Sequence, residues 1–355
     1  MNQKPNIYDL SNDELAAMLQ SWGEPKFRAG QIRQWLYEKH VSSFDSMENI
    51  SKALRQRLQD ETTLGTLEIV TEQVSNDGTT KRLYKLPDGQ LIESVLMFYD
   101  DNRRTACIST QAGCGMGCVF CATGHMGLAR NLTASEIFEQ AMLFASELAE
   151  SGERLSNVVL MGMGEPFHNY DESLAAIRRL MSDLNIGARH ITVSTVGLVP
   201  QILQFAEEGL QVRLAISLHA ADDETRSALI PVNKRWPIEE LIDACRYYTE
   251  KTSRRITFEW ALIQGETDTK EQAQALGRLL QRLSKSEGGE TTVAPHVNLI
   301  RLNPTKGYKG RPADTESTDE FIYTLTKYGI EATVRVRRGL DIAAGCGQLK
   351  AVTLD

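Results

Sequence analysis

From about Arg103 onward the chain repeats one pattern, a short apolar run rich in β-branched residues and then a stretch with helical spacing. The runs are TACIST (105–110), NVVLMG (157–162), HITVST (190–195), VRLAIS (212–217), ITFEWAL (256–262) and HVNLIR (296–301). The helical stretch after the first opens with a capping box, Thr133 to Glu136, and sets Ile137, Ala141, Phe144 and Leu148 on one face. Another begins at Pro237 and turns Ile238, Leu241, Ile242, Cys245 and Tyr248 to one side. Parallel strands need long crossovers and helices supply them. Six such repeats therefore predict an α/β fold around a parallel sheet, either doubly wound or a partial barrel. EATVRVR (331–337) predicts one further strand. On its apolar helix face, Cys245 reads as a small core hydrophobe.

Two other textures precede the repeat. Up to about residue 65 the spacing is helical. Ser11 with Glu14 fits a capping box, followed by Leu15, Met18, Leu19 and Trp22. Ile32, Trp35 and Leu36 mark a second helix, and Leu54 with Leu58 a third. The basic residues between them, Lys26, Arg28, Arg33 and Lys39, fit a solvated face as well as a binding one. From Thr66 to Phe98 the texture is that of strands, with TTKRLYKL and QLIESVLMF flanking the turn Pro87-Asp88-Gly89. Period-two alternation puts Leu91, Glu93, Val95 and Met97 on one face. If that face is buried, desolvation raises the pKa of Glu93 and suits it to accept a proton; at a wet edge it is merely solvated.

Four of the six cysteines fall within CISTQAGCGMGCVFCATG (107–124). What they do depends on the compartment. The start, MNQKPNIYDLSNDEL, lacks the basic-then-apolar order of a secretory leader, and no apolar run has membrane-spanning length. The expectation is a cytoplasmic protein, where clustered cysteines bind metal or do redox chemistry. A net charge of −8 neither advertises nor excludes a nucleic-acid partner, because local patches decide that. Cys114, Cys118 and Cys121 lie in the loop leaving the first strand, and parallel α/β folds gather their chemistry at such ends. Structural zinc would have to borrow a fourth ligand from Cys107, His125 or Cys346. An iron–sulfur cubane held by three thiolates leaves one iron open, and fits the spacing better. Other strand ends offer Gly164 and Glu165 (in MGMGEP), Ser194, Ser217, Leu218, His219 and Asn303. Glu259, within FEW, reads as a satisfied barrel carboxylate. Cys346 sits in a glycine-flanked turn of RRGLDIAAGCGQL (337–349), either exposed and reactive or buried in a loop.

C-x-x-x-C-x-x-C after the first strand of a βα repeat, with Phe120 before the third cysteine, resembles the radical S-adenosylmethionine (radical SAM) superfamily. The wider set of CISTQAGCGMGCVFCATG, RNLTASEI, LMGMGEPF, TVSTVGLVP, LAISLHA, RITFEW, LNP and DIAAGCGQL is similar to the adenosine-C2 RNA methyltransferases of the RlmN type, from about Phe27 to Leu349. The resemblance implies a partial (β/α)6 barrel of radical SAM type with a small N-terminal helical domain and a short β extension. It divides the chain into an RNA-contacting helical domain (1–65), a β extension (66–102), the radical SAM core (103–340) and a tail carrying Cys346 (341–355).

The same resemblance assigns roles. A 4Fe–4S cluster is expected on Cys114, Cys118 and Cys121, with SAM bound by Gly164, Glu165, Ser194, Ser217, Leu218, His219 and Asn303. Two SAM molecules are expected per turnover. The first methylates Cys346, and the second yields a radical that takes hydrogen from the S-methyl group. The carbon radical adds to adenine C2, Glu93 accepts the C2 proton, and Cys107 releases the RNA by forming a transient disulfide with Cys346. Expected partners are 23S rRNA at the peptidyl transferase centre, tRNA at the adenine 3′ to the anticodon, an electron donor for the cluster and a reductant for the disulfide. No membrane is expected, and the chain reads as a monomer. Related enzymes that methylate carbon 8 of the same ribosomal adenine are the close alternative. Phosphate contacts are expected from Arg103, Arg104, Arg130, Arg301, Lys306, Lys309, Arg311, Arg335, Arg337 and Arg338. One departure stands in the tail, where the family often has Asp-Ala-Ala and this chain has Ala343-Ala344-Gly345; the expectation is an adjusted turn with activity kept.

Overall fold

The computed structural model describes residues 4–283, 293–305 and 307–351. Three short helices lead: α1 (Asn12–Ser21), α2 (Phe27–Tyr37) and α3 (Lys52–Glu61). The capping box at Ser11 and Glu14 is formed in both directions, and Ser51 caps α3 through the Leu54 N–H. Leu15, Leu19, Ile32, Leu36, Leu54 and Leu58 are buried, as their spacing requires. Met18 and Trp22 are only partly covered.

A hairpin-linked trio follows, β1 (Glu68–Val74), β2 (Thr80–Lys85) and β3 (Leu91–Phe98), paired antiparallel. Next come β4 (Arg104–Cys107), β5 (Gln111–Cys114), β6 (Gly127–Asn131) and α4 (Ala134–Glu150). The remainder alternates as β7 (Asn157–Leu160), α5 (Tyr170–Ser182), β8 (Ile191–Thr195), α6 (Val199–Glu207) and β9 (Arg213–Ser217). Then follow α7 (Asp223–Leu229), α8 (Ile238–Thr252), β10 (Thr257–Leu262), α9 (Lys270–Gln281), β11 (His296–Arg301), α10 (Thr315–Lys327) and β12 (Glu331–Val334).

Among the described residues these strands make a ten-stranded sheet in the order β1-β2-β3-β4-β7-β8-β9-β10-β11-β12, with β5-β6 as a separate hairpin. From β4 to β12 every pairing is parallel. Among the described residues no pairing closes β12 onto β4, so the parallel part is an open, partial barrel. The α4 capping box forms at Thr133 and Glu136, with Ile137, Ala141, Phe144 and Leu148 buried beneath. Cys245 is buried on the inner face of α8, the core position its spacing indicated. The leading helices dock on this layer through Tyr8 and Tyr37, whose rings stand about Phe138 of α4, and through Arg33, 2.8 Å from Asp183. No helix among the described residues is long and apolar enough to cross a membrane.

Two elements differ from the sequence pattern. The first run, 105–110, keeps regular strand geometry only to Cys107; beyond it the Ile108 N–H still bonds Val159 O and the Thr110 N–H bonds Met163 O. The chain then turns into the β5–β6 hairpin, which was not anticipated, because Gly-rich and Cys-rich sequence carries no period-two signature. An alanine Cβ at Gly113 would lie 2.0 Å from Gly127 O, so glycine is needed where the two hairpin strands meet. The last strand, expected over 331–337, ends at Val334, although the Arg335 N–H still bonds Leu299 O at 2.8 Å.

Candidate active site

The carboxyl ends of the parallel strands enclose a cavity of about 200 Å³. Its wall includes Cys114 from the end of β5, Cys118 and Cys121 from the loop that follows it, Cys107 from the end of β4, and Cys346 from the tail. Chain ends more than two hundred residues apart thus meet in one space. The sheet achieves this by curling, so that the first parallel strand and the segment beyond the last face each other.

The cysteine loop is held by its own backbone. The Cys121 N–H bonds Cys118 O at 3.1 Å, and the Val119 N–H bonds Leu229 O at 3.0 Å. His125, one possible fourth zinc ligand, has its Nε2 2.7 Å from Val119 O, turned to the loop backbone. Among the described residues no three His, Cys, Asp or Glu side chains close on a single ion, so a tetrahedral zinc site has no ready ligand set here. Burial, reinforced by neighbouring acidic groups, pushes the Cys114 thiol up to about 12 and Cys118 well above its ordinary value. Such sulfurs carry charge only against a strongly cationic partner, which iron provides. Three soft ligands in one loop beside an open cavity fit a cubane with a free iron.

Glu165 follows β7 and is 3% exposed. Its two carboxylate oxygens accept the Val196 N–H at 2.9 Å and the Phe167 N–H at 3.0 Å. Burial dominates those bonds and pushes its pKa up from 4.5 to about 7. Gly164 has φ +100°, and an added Cβ would fall 2.6–2.8 Å from Gln111, so this turn tolerates no side chain. The Ser194 and Ser217 hydroxyls, at the ends of β8 and β9, lie 3.5 Å apart. The buried ring of His219 packs edge-on to Phe120, and its Nδ1 accepts the Ala261 N–H at 2.8 Å, so the ring proton sits on Nε2. Desolvation, with Arg226 nearby, lowers its pKa to about 3 and keeps the ring neutral. Asn303 donates through Nδ2 to Cys346 O at 3.1 Å, while its buried Oδ1 has no partner among the described residues. A buried acceptor left open in this wall fits a ligand carrying amino and hydroxyl donors, as SAM does.

Two expected site residues stand apart. The Leu218 side chain is fully buried in the core, its N–H bonds Glu259 O at 3.1 Å and its carbonyl accepts from Arg226 Nε at 3.0 Å. It has no free backbone group to offer and does not line the cavity. Glu93 is buried behind the tail, and apolar surroundings are not its whole environment. One oxygen accepts the Lys350 N–H at 2.8 Å and the other lies 3.4 Å from Lys81 Nζ. Its strand neighbour Met97 does reach the cavity, and Val95 pairs directly with Cys107.

The tail is fastened to the cysteine loop. The Ala122 N–H bonds Gly347 O at 2.7 Å, Thr123 Oγ1 donates to Leu349 O at 2.5 Å, and Gln348 Nε2 donates to Pro304 O at 3.0 Å. Cys346 is therefore half-buried and held, between the two states its sequence allowed. A Cβ on Gly345 would lie 2.6 Å from Asn303 Nδ2 and 2.8 Å from Gln348 Oε1, so the glycine at this departure from the family pattern suits a close approach of Asn303.

Of the basic residues expected to meet phosphate, several are already engaged. Arg103 pairs with Asp101, Arg104 with Glu153, and Arg130 with both Asp88 and Glu136. Arg335 turns inward to Glu259. Arg301 donates to Thr315 Oγ1, and Arg338 stacks over Tyr99. Lys309, Arg311 and Arg337 are exposed without an ion pair among the described residues, and Lys306 lies outside them. Glu259 is satisfied as expected, by Asn298 Nδ2 at 2.8 Å, but it also lines the cavity. Sequence reasoning missed Arg226, a fully buried guanidinium that donates to Val196 O (2.6 Å), Ser217 O (3.2 Å), Leu218 O (3.0 Å) and Asn233 Oδ1 (2.6 Å). It ties together the loops after β8 and β9. An arginine in a polar helix turn gives no hint of burial, so no sequence signal marked it.

Comparison with known proteins places these features in context. Residues 5–64 match the family described as Ribosomal RNA large subunit methyltransferase N-terminal domain, and residues 108–276 match the Radical SAM superfamily. The Dual-specificity RNA methyltransferase RlmN 1 of Myxococcus xanthus is 50% identical over 349 residues, covering 98% of this chain and 94% of that protein. A probable dual-specificity RNA methyltransferase RlmN of Chloroflexus aurantiacus is also 50% identical, covering 97% and 92%. The crystal structure of a radical SAM methyltransferase from Sphaerobacter thermophilus superposes with a TM-score of 0.91 at 47% identity, covering 98% of this chain and all of that one.

Proposed function

The chain belongs to the RlmN family of radical SAM RNA methyltransferases, and from that premise we propose that it methylates carbon 2 of adenine through an S-methyl intermediate on Cys346. The observation that carries this reading is the meeting of Cys346 and Cys107 in the cavity that also holds Cys114, Cys118 and Cys121. Adenine C2 and the SAM methyl are both electrophilic carbons, so direct polar transfer fails. A sulfur that first accepts the methyl by displacement removes the mismatch.

Cys114, Cys118 and Cys121 would hold the 4Fe–4S cluster at the wall of the cavity that would receive SAM. When bound, the cluster supplies the electron that cleaves SAM, giving a radical able to take hydrogen from the S-methyl group. Glu165 and the open Oδ1 of Asn303 orient SAM, with Gly164, Ser194, Ser217 and His219 shaping the wall around it. Leu218 lies in the core with its N–H and carbonyl already bonded, and takes no part in this contact. Cys346 accepts the methyl of a first SAM and then presents it to adenine C2, where a carbon–carbon bond forms and ties protein to RNA. Glu93 takes the C2 proton, with Lys81 beside it to balance the carboxylate; Oε2 becomes available when the Lys350 N–H lets go. Once the adduct has also given up its unpaired electron, which the cluster would take back, the Cys107 thiolate attacks the Cys346 sulfur; the sulfur–carbon bond breaks with its electron pair on the methylene carbon, which takes a proton to become the methyl group, and a disulfide remains for an external reductant.

The RNA substrates on this reading are 23S rRNA and the tRNA adenine 3′ to the anticodon. The target base must leave its stack to reach the cavity. Lys309, Arg311 and Arg337 offer phosphate contacts, and the N-terminal unit (1–65) adds Lys26, Arg28 and an exposed Phe27. The reading also takes the protein as a cytoplasmic monomer, with 66–102, 103–340 and 341–355 as β extension, core and tail. The test is methyl transfer from labelled SAM under anaerobic reducing conditions to each RNA class, with mass spectrometry of the nucleosides. Formation of 2-methyladenosine in both is expected; 8-methyladenosine would overturn the regiochemistry, and label in one RNA only would overturn dual use.

A further inference from the structure

The tail that carries Cys346 is fastened at a second place, on the β extension. The turn between β1 and β2 (75–79) and the tail turn 339–344 face each other, and each supplies a carboxylate to the other. Asp341 accepts the Ser75 hydroxyl on Oδ1 and the Asn76 N–H on Oδ2 at 3.1 Å. In return Asp77 accepts the Gly339 N–H on Oδ2 at 3.1 Å, while its Oδ1 takes the Thr79 N–H of its own turn at 3.0 Å. Ser75 and Thr79 are buried there, although β1 is the edge strand of the sheet. The approach is close: a Cβ on Gly339 (φ +60°) would lie 2.9 Å from Thr79 Cγ2.

The backbone carries this hold on to Cys346. Within the tail turn the Ala344 N–H bonds Gly339 O at 2.9 Å and the Ala343 N–H bonds Leu340 O at 3.3 Å. The next bonds close the turn around the cysteine, where the Gly345 N–H meets Gln348 Oε1 and the Gln348 N–H meets Gly345 O, both at 3.0 Å. Cys346 thus sits between two fastenings, the clasp at 339–341 and the bonds of 347–350 to Ala122, Thr123 and Glu93. Both are needed because a chain end stays ordered only where it is tied down. They differ in what they touch. The second includes the Lys350 N–H on Glu93, a carboxylate that must free that oxygen for the proton step. The first lies outside the cavity, whose wall includes none of Ser75, Asn76, Asp77, Gly339 and Asp341.

We propose that Asp341, with Ser75 and Asp77 as its counterparts, is a positioning residue for Cys346: the clasp keeps that sulfur within reach of Cys107 when the Glu93 end of the tail lets go. This rests on the reading of Cys107 and Cys346 as the pair that meets after methyl transfer. Without the clasp, release of the Lys350 N–H leaves Cys346 on a longer free segment. The sulfur then spreads over a larger volume, and its effective concentration at Cys107 falls. The β1–β2 turn thereby takes a part in the release step from outside the cavity.

Exchange with glutathione measures that concentration. Full-length holoenzyme is equilibrated anaerobically with set ratios of reduced and oxidised glutathione and trapped with N-ethylmaleimide, and the 107–346 disulfide is quantified by peptide mass spectrometry. Asp341→Ala is expected to lower the equilibrium constant about tenfold, about 30 mV in potential, and Ser75→Ala about threefold. Asp341→Asn should stay within about threefold of wild type, because its Oδ1 can accept the Asn76 N–H while its NH2 donates to the Ser75 hydroxyl. The double variant Ser75→Ala/Asp341→Ala should fall no further than Asp341→Ala alone, since the two groups share one contact. Unchanged iron content in each variant shows that the cysteine loop is intact, and Ser75→Ala carries the test if Asp341→Ala does not fold. A constant equal to wild type in the folded variants would overturn the proposal. The rate at which iodoacetamide labels Cys346 is a separate arm, expected to rise about threefold or more in Asp341→Ala as the half-buried thiol is freed. A wild type that forms no 107–346 disulfide at any ratio sinks the pairing of the two cysteines, and the labelling rates still judge the clasp: rates equal to wild type would overturn it.

Discussion

Replacing Glu165 with glutamine should remove a loss of stability that sets in as pH rises, and should weaken SAM binding; the amide NH2, facing an N–H that the carboxylate accepts, adds a cost that does not vary with pH. In the folded chain the carboxyl titrates near 7, against 4.5 when exposed, because burial outweighs the two backbone N–H bonds it accepts. Below about pH 4.5 both folded and unfolded chains hold the proton, and the residue contributes no pH dependence. Between 4.5 and 7 the unfolded chain ionises first, so folding loses stability as pH rises. Above 7 the loss is complete and amounts to about 3 kcal/mol, at about 1.4 kcal/mol for each pH unit. Glutamine matches the protonated carboxyl in shape and does not titrate. Urea unfolding of the SAM-free wild type and Glu165→Gln, each at pH 5.0 and 8.5, should therefore show the variant gaining about 2.5 kcal/mol relative to wild type between those pH values. SAM affinity, measured at pH 8 by equilibrium dialysis, should fall about tenfold or more in the variant, the value of a charge-assisted hydrogen bond. An equal stability difference at both pH values would refute the desolvated carboxyl. Undiminished SAM binding would refute its part in orienting the ligand.

Other outcomes follow from the same geometry. Gly164→Ala forces a Cβ to within 2.6–2.8 Å of Gln111 at φ +100°, and should cost about 3 kcal/mol of stability, read as the shift in urea midpoint. Lys81→Met leaves the Glu93 carboxylate buried with only the Lys350 N–H, and should destabilise by about 3 kcal/mol in the same assay; the double variant with Glu93→Gln should recover most of it. Cys107→Ala should trap the protein covalently on RNA, seen as a slow band on a denaturing gel that RNase removes; free methylated RNA at the wild-type rate would remove Cys107 from the release step.

The sequence announced the repeating core because each run and each helix buries one face, and burial imposes a period. The capping boxes at Ser11 and Thr133, the buried face of α4 and the core position of Cys245 were all legible in this way. The three loop cysteines, Gly164, Glu165 and Asn303 were legible as strand-end residues, since parallel folds bring those ends together. What resisted reading depends on contacts across the chain. The β5–β6 hairpin has no alternation to show it, and Arg226 is defined by four acceptors distant from its own helix turn. Arg335, expected among the phosphate contacts, turns inward to Glu259 instead. The cavity wall it joins also includes Cys107 and Cys346. Glu93 acquired partners, Lys81 and the Lys350 backbone, that no local pattern on its strand could reveal.

The most direct test follows the methyl group itself. Anaerobically purified enzyme, incubated with methyl-labelled SAM and no RNA, is digested and Cys346 is examined by mass spectrometry; RNA and unlabelled SAM are then added with a reductant. A labelled methyl on Cys346 that moves to carbon 2 of adenine is the predicted result. A label that goes to RNA without residing on Cys346, or unchanged turnover in Cys346→Ala, would contradict the S-methyl route.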